Sequence, residues 1–341
     1  MIHPRDILRS PIRSLKFVKR EADWLRHFAA TMEHRGMAAL PPSMAPATDR
    51  LYERLDAGTV AAIEGRLSGE DAQLWAKTEP DDRKRLALAF GLHHGIPGEA
   101  EKTGLMSLSP PDDVHAMARG SVATGGSYYY ADIVADALHG AGAPLERGRV
   151  LDFGCSSGRV IRVLCAAYPE LECYGCDPQP EPIEWAREHL PGVDFCVSPE
   201  SPPLPHEDGF FDAVFAISIW SHYGERAARD WLAEMQRVIR PGGHLLLTFH
   251  GLQSIAYYVA HAGRTRRESL QLALELSRDG YWFRDQFAYT DGDHGIRNSE
   301  WGTAFITAEW LLNETLPEWA VVGYGPGRAE GNQDLIVLRR L

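Results

Sequence analysis

The chain has no excess of basic residues, no long apolar run and few cysteines. Its 35 Lys and Arg stand against 47 Asp and Glu, a net charge of −12 over 341 residues. A nucleic-acid backbone as principal partner demands the opposite balance. The locally basic stretch from Arg5 to Arg35 is interleaved with Asp6, Glu21, Asp23 and Glu33 and reads as a solvated helix face. No apolar run reaches membrane-spanning length, and the N-terminus lacks the apolar centre of a secretory signal. The expected compartment is therefore the cytoplasm, with no membrane partner. All five cysteines lie between positions 155 and 196, and an odd number in one segment is not a disulfide framework. Cys173 and Cys176 form a C-x-x-C inside the strand-like ECYGCD, where an offset of three sends the side chains to opposite faces. No second Cys or His pair follows at zinc spacing, so buried, reduced thiols and no metal centre are expected.

Two nucleotide signatures are also missing. After the apolar run RVLDF (149–153) a nicotinamide-binding fold would carry G-x-G-x-x-G, the second glycine admitting a pyrophosphate. Here the spacing is D-x-G-x-x-x-G, with Asp152 near the strand end and Gly154 and Gly158 in the turn, and that second glycine is missing. A phosphate loop with its lysine is absent as well. A strand, a small-residue turn and the helical RVIRVLCAAY still make a ligand site at the carboxyl end of a sheet strand. Its ligand is one without a pyrophosphate.

From about residue 127 helices alternate with apolar strands: YADIVADALHGAG is helical, RVLDF, ECYGCD, VDFCV, FDAVFAIS and HLLLTFH are strands, and PIEWAREHL and ERAARDWLAEMQRVI are helices. RPGG is expected to stop the last of these. Such alternation means a parallel sheet with right-handed crossovers, and WAVVGYGP with DLIVLRRL adds a terminal hairpin. Residues 1–120 read as helices between breaks: a stripe from Leu15 to Met32, then AAIEGRLSGEDAQLWAK and DDRKRLALAFGLHH, closed by LSPPDD. No flexible linker separates this region, a substrate cap or an interaction module, from the part that follows.

Asp177 ends the second strand, where an acid can accept two ribose hydroxyls. Taken with FFDAVFAISIWSH and RVIRPGG in that order, these motifs make residues 121–341 resemble the class I S-adenosylmethionine-dependent methyltransferases. The resemblance implies an α/β, Rossmann-like seven-stranded sheet in the order 3-2-1-4-5-7-6 with strand 7 antiparallel. It also implies S-adenosylmethionine as cofactor. Asp152, Gly154, Cys155, Ser156 and Gly158 would shape the pocket for its methionine portion, Asp177 would bind the ribose, and Pro178 and Gln179 would border the adenine. The segment Cys196 to Glu200 would run beside the adenine, although CVSPES departs from the family's usual acid-and-small-residue form. Ser218, between Ile217 and Ile219, would lie near the sulfonium, and Tyr129 in the Tyr128–Tyr130 cluster would cover the methionine portion or simply pack in the core.

The implied reaction moves a methyl group to an oxygen or nitrogen of a small-molecule acceptor such as a sugar or specialised metabolite. Protein or peptide methylation, and a non-catalytic cofactor-binding partner, remain the alternatives; an oxidoreductase is disfavoured by the missing glycine. Methyl transfer requires an aligned acceptor, exclusion of water and removal of a proton. His222 after the fourth strand, His250 at the end of the fifth and His115 in the helical region are the candidate bases. The aromatic segment 279–302, which includes His294, is long enough to be an acceptor-site loop. The sequence leaves the oligomeric state unknown.

Overall fold

A computed structural model describes residues 46–94, 96, 99–105, 108, 110–111, 120–143, 145–261, 265–285 and 298–341. The Leu15–Met32 stripe, His115 and His294 lie outside the described residues.

Among the described residues five helices come first: α1 (Pro46–Tyr52), α2 (Ala57–Glu64), α3 (Gly69–Lys77), α4 (Pro80–His94) and α5 (Glu99–Thr103). AAIEGRLSGEDAQLWAK, read as one helical stretch, is divided between α2 and α3. Ser68 takes an extended conformation at the start of α3 and turns the chain, while Asp56 caps α2 by accepting the Thr59 N–H at 2.8 Å.

The sheet domain then runs α6 (Gly120–Gly140), β1 (Gly148–Phe153), α7 (Ile161–Ala167), β2 (Leu171–Asp177), α8 (Pro180–His189), β3 (Val193–Val197), β4 (Phe211–Ala216), α9 (Glu225–Val238) and β5 (Ile239–Phe249). It continues with α10 (Leu252–His261), α11 (Arg266–Asp279), β6 (Tyr281–Arg284), β7 (Thr303–Ile306), α12 (Ala308–Thr315), β8 (Trp319–Ala329) and β9 (Gln333–Arg340).

Seven strands form one sheet in the order β3-β2-β1-β4-β5-β9-β8, and β6 and β7 pair separately. The strands from β3 to β5 are parallel, whereas β9 is antiparallel to β5 and to β8. With the β6–β7 pair set aside, this is the expected 3-2-1-4-5-7-6 order with an antiparallel last strand.

Alternation along the strands divides the core. Val150, Cys173, Phe215 and Leu246 face one layer, with α6 and α7; Leu151, Phe153, Cys176, Val214 and Leu247 face the other, where α9 presents Trp231, Leu232, Met235 and Val238. Cys173 and Cys176 thus point to opposite sides, and all five cysteines are free thiols.

RPGG departs from its expected role. Helix α9 ends one residue earlier, and the motif lies inside β5, where the pairing with β4 shifts between Phe211↔Ile239 and Ala213↔His244. The extra residues are taken up as a bulge. Gly242 adopts φ +77° there, and a Cβ on Gly243 would stand 2.8 Å from the Asp212 carbonyl oxygen.

The N-terminal helices share the core of the sheet's first layer. Ala47 and Leu51 of α1 and Leu88 and Ala89 of α4 join the cluster that contains Val150 and Phe215. Asp132 on α6 accepts the Thr48 N–H at 2.8 Å and pairs with Arg85 at 2.7 Å in a buried ion pair. Arg54 donates to the Thr103 and Ala166 carbonyls, both at 2.8 Å.

Glu99 is less well served. It is 1% exposed, neither carboxyl oxygen has a hydrogen-bond partner among the described residues, and a Cβ on Gly91 would fall 1.6 Å from Oε2. Burial pushes its carboxyl up to about 8 from 4.5. The folded state therefore holds a proton that the unfolded state releases, so stability is full below pH 4.5 and falls as pH rises to about 8. Glu99→Gln should raise the melting temperature at pH 8 and flatten its decline between pH 5 and 8. Thermal scans across that range check this; an unchanged slope contradicts it.

Candidate functional site

The carboxyl ends of β1, β2, β4 and β5 meet at one edge of the sheet. Because β9 runs the other way, its first residue, Gln333, arrives at the same edge.

At the end of β1 the chain turns back through positive φ at Gly154 (+79°), Ser156 (+49°) and Gly158 (+73°). The turn is tied to β2: the Gly154 and Cys155 N–H groups donate to the Cys176 carbonyl at 2.9 and 3.0 Å. Its floor has no spare room. A Cβ on Gly154 would lie 2.2 Å from Ile219 Cδ1, and one on Gly158 would lie 2.7 Å from Phe195 Cζ. Gly175 in β2 plays a matching part, since its Cβ would crowd the Phe195 ring at 2.6 Å and Cys155 Sγ at 2.9 Å. Gly175→Ala should destabilise the fold by about 1–3 kcal/mol through overpacking. Denaturant unfolding measures it, and a loss below about 0.5 kcal/mol would contradict the contact.

Asp177 closes β2 with its carboxylate held from two sides. Oδ2 accepts the Ser156 N–H at 2.8 Å and Oδ1 accepts the Gln179 N–H at 3.0 Å. These bonds lock the carboxylate between the β1 turn and the Pro178–Gln179 segment, with the side chain only half-buried. Asp152, in contrast, is 3% exposed. Burial pushes its carboxyl up to about 8, against the opposing pull of the Ile161 N–H and Arg159.

Beyond β4, Ser218 adopts φ +63°, and its N–H donates to Thr248 Oγ1 at 2.7 Å. The Thr248 hydroxyl donates to Gln333 Oε1 at 2.7 Å, and Gln333 Nε2 donates to Ser218 Oγ at 2.7 Å. Ser221 Oγ stands 3.1 Å from Ser218 Oγ. This polar ring joins the ends of β4, β5 and β9 in a buried setting, where satisfied polar groups specify geometry.

His222 and His250 stand on its border, and both are anchored on one strand. The Nδ1 of His222 is 2.8 Å from the Gly302 carbonyl, and that of His250 is 3.1 Å from the Ala304 carbonyl. A carbonyl only accepts, so each Nδ1 carries a proton. For His250, which is 5% exposed, Nε2 lies 3.4 Å from both the Tyr258 hydroxyl and Gln333 Nε2. His222 stacks on Trp301 with ring centroids 4.9 Å apart. The backbone of the β7 segment reinforces the anchoring: Gly302, Ala304 and Ile306 N–H groups donate to the His222, Ser221 and His250 carbonyls at 2.7, 2.8 and 2.8 Å.

The structure thus gathers Asp152, Gly154, Cys155, Ser156, Gly158, Asp177, Pro178 and Gln179 at the ends of β1 and β2, with Ser218, His222 and His250 across the edge. Tyr129 stands apart from this group. Its hydroxyl donates to the Arg328 carbonyl at 3.2 Å and accepts the Glu330 N–H at 3.1 Å, pinning the tip of the β8–β9 hairpin. Segment 279–302, expected as one long loop, opens with β6 and leads into β7; residues 286–297 lie outside the described set. Thr248, Gln333, Tyr258 and Gly175 are the members that sequence reasoning missed.

Residues 150–243, from β1 through the start of β5, match the methyltransferase domain family. The chain carries a class I S-adenosylmethionine-dependent methyltransferase domain. Relatives over this domain include a tRNA U34 carboxymethyltransferase of Syntrophotalea carbinolica, 32% identical over 31% of this chain and 33% of its own length. A malonyl-[acyl-carrier protein] O-methyltransferase of Methylococcus capsulatus is 33% identical over 32% of this chain and 39% of its own. The chain spans about a third of the length of these curated relatives. A crystal structure of an S-adenosylmethionine-dependent methyltransferase from Methanosarcina mazei superposes with a TM-score of 0.43 at 19% identity, covering 59% of this chain and 95% of its own. Among the described residues of the methyltransferase domain and its flanking helices, no helix is long and apolar enough to cross a membrane.

Proposed function

We infer that the chain transfers a methyl group from S-adenosylmethionine to an oxygen or nitrogen of a small-molecule acceptor that gives up a proton as it reacts. The observation that carries this reading is His250: a buried imidazole whose Nδ1 proton is fixed on the Ala304 carbonyl, which leaves Nε2 as the nitrogen able to take a proton, held where the ends of β4, β5 and β9 meet. Such a group can take a proton near neutral pH.

When bound, S-adenosylmethionine supplies a methyl group activated by a cationic sulfur. The residues present fit it. Asp177 offers a fixed carboxylate to the paired ribose hydroxyls. Asp152 and the turn through Gly154 and Gly158 receive the methionine portion, with Ile219 against the turn. Pro178, Gln179 and the Cys196–Glu200 segment flank the adenine. Ser218 and its ring of partners fix the end of β4 beside the acceptor, and His250 Nε2 takes the acceptor's proton. The Ala304 carbonyl of β7 holds the tautomer that leaves Nε2 able to do so. Among the substrates that relatives are named for, trans-aconitate is a small acid and malonyl-[acyl-carrier protein] an acid carried on a protein. The acidic surface and small-residue site favour a small molecule here over nucleic acid.

Incubation with S-adenosylmethionine and a panel of hydroxylated, carboxylated and amino small molecules, read by mass spectrometry, should reveal one acceptor class gaining a methyl group. Methylation of protein or RNA alone would overturn the small-molecule reading.

The Asp152 carboxyl adds a pH-linked expectation. With its pKa at about 8 it is mostly protonated at pH 7, and a ligand ammonium placed beside it favours the ionised form. Cofactor binding at pH 7 should therefore release close to one proton, seen as a dependence of the calorimetric heat on buffer ionisation enthalpy. Equal heats in all buffers would contradict that placement.

A further inference from the structure

Four of the five cysteines lie on or beside β2, and one pair occupies opposed positions on neighbouring strands. Cys176 of β2 and Cys196 of β3 are direct register partners and belong to the same hydrophobic layer. Neighbouring strands stand about 4.8 Å apart, within the roughly 4.4–6.8 Å Cα separation that a disulfide spans. The thiols are both free, Cys176 fully buried and Cys196 half-buried.

A third group completes the constellation. His206 Nε2 lies 3.9 Å from Cys196 Sγ. Its ring is held by Phe210, stacked at 5.2 Å, by the edge of Phe211 at 4.8 Å and by Tyr174 at 6.1 Å. An S–H from Cys176 and the imidazole together hold the Cys196 thiol well below its usual range, against burial and Asp194, while Cys176 is pushed up. Cys196 therefore carries thiolate character and Cys176 keeps its proton.

We propose that Cys196 is a peroxide-reactive thiol and Cys176 its resolving partner, so that oxidation joins β2 to β3 beside Asp177. The Cys196 sulfur attacks one oxygen of a hydroperoxide; the O–O bond breaks, hydroxide or alkoxide leaves, and Cys196 becomes a sulfenic acid. The Cys176 sulfur then attacks the Cys196 sulfur. The S–O bond breaks, and the oxygen departs as water with the Cys176 proton, leaving the disulfide. Peroxide supplies the oxidising equivalents. Cys165 offers the internal contrast: its thiol is likewise held down by the neighbouring Cys173 S–H, but its own contact is the Gly192 carbonyl at 3.5 Å rather than an imidazole.

The test treats the reduced full chain with limiting hydrogen peroxide, blocks remaining thiols with iodoacetamide and maps peptides by mass spectrometry. A Cys176–Cys196 linked peptide is expected as the main product, with Cys196 consumed at least tenfold faster than Cys165. Cys176→Ser should instead accumulate sulfenic acid at Cys196, trapped by dimedone, and His206→Ala should slow Cys196 oxidation about tenfold. Linkage of another pair, or a Cys196 that reacts no faster than Cys165, overturns the proposal. These readouts follow thiols alone, so they stand or fall independently of methyl transfer.

Discussion

Asp177→Ala lowers the affinity for S-adenosylhomocysteine by about a hundredfold. Two charge-assisted hydrogen bonds to vicinal ribose hydroxyls contribute about 1.5–3 kcal/mol each, and each 1.4 kcal/mol is about tenfold in affinity. The carboxylate is already oriented by the Ser156 and Gln179 N–H groups, so little ordering cost offsets those bonds on binding. Alanine also leaves the two N–H groups without that acceptor, which loosens the turn after β1. Asp177→Asn separates the effects. It keeps the shape but exchanges one acceptor oxygen for a donor facing an N–H group, and it should cost about tenfold or more. Calorimetry on variants with unchanged circular dichroism measures both losses; an Asp177→Ala affinity within about threefold of the parent removes the ribose role.

The second large effect belongs to His250. Replacing it by glutamine should reduce kcat about 10²–10³-fold with an acceptor that must lose a proton, as expected for removal of a general base, while cofactor affinity stays within a few fold. The parent rate should fall at low pH as the imidazole gains a proton, and the variant should lose that limb of the profile. His222→Ala should cost less than about tenfold, because His222 packs on Trp301 and its Nδ1 serves the Gly302 carbonyl. A His250→Gln enzyme with normal kcat and an unchanged pH profile would eliminate His250 as the base.

What the sequence made legible follows from which features are local. Strand alternation, the amphipathic α9 and the small-residue turn after RVLDF are written in neighbouring residues and located the strands, whereas the strand order and the roles of Asp152, Gly154 and Asp177 came from the resemblance. RPGG was legible as a break but not as a bulge, because only the pairing of β5 with β4 decides whether glycines end an element or bend it. The polar ring was harder. Thr248 is a lone polar residue in the apolar LLLTF and could have been singled out, but Gln333 lies 85 residues away on an antiparallel strand, and nothing in its neighbourhood marks it. The same holds for the two imidazoles: their Nδ1 protons rest on the Gly302 and Ala304 carbonyls, at and just beyond the end of what reads as an aromatic loop. Tyr129, read from its tyrosine cluster as either a ligand contact or a core residue, has its hydroxyl bonded to the β8–β9 tip, a contact its sequence neighbours do not mark.

The most direct measurement is calorimetric titration of the purified chain with S-adenosylhomocysteine, with NAD as the control. Saturable binding at micromolar concentration to the first and none to the second is the predicted result. Binding of NAD with no binding of S-adenosylhomocysteine would contradict the assignment of the edge formed by β1, β2, β4 and β5 as a methyl-donor site.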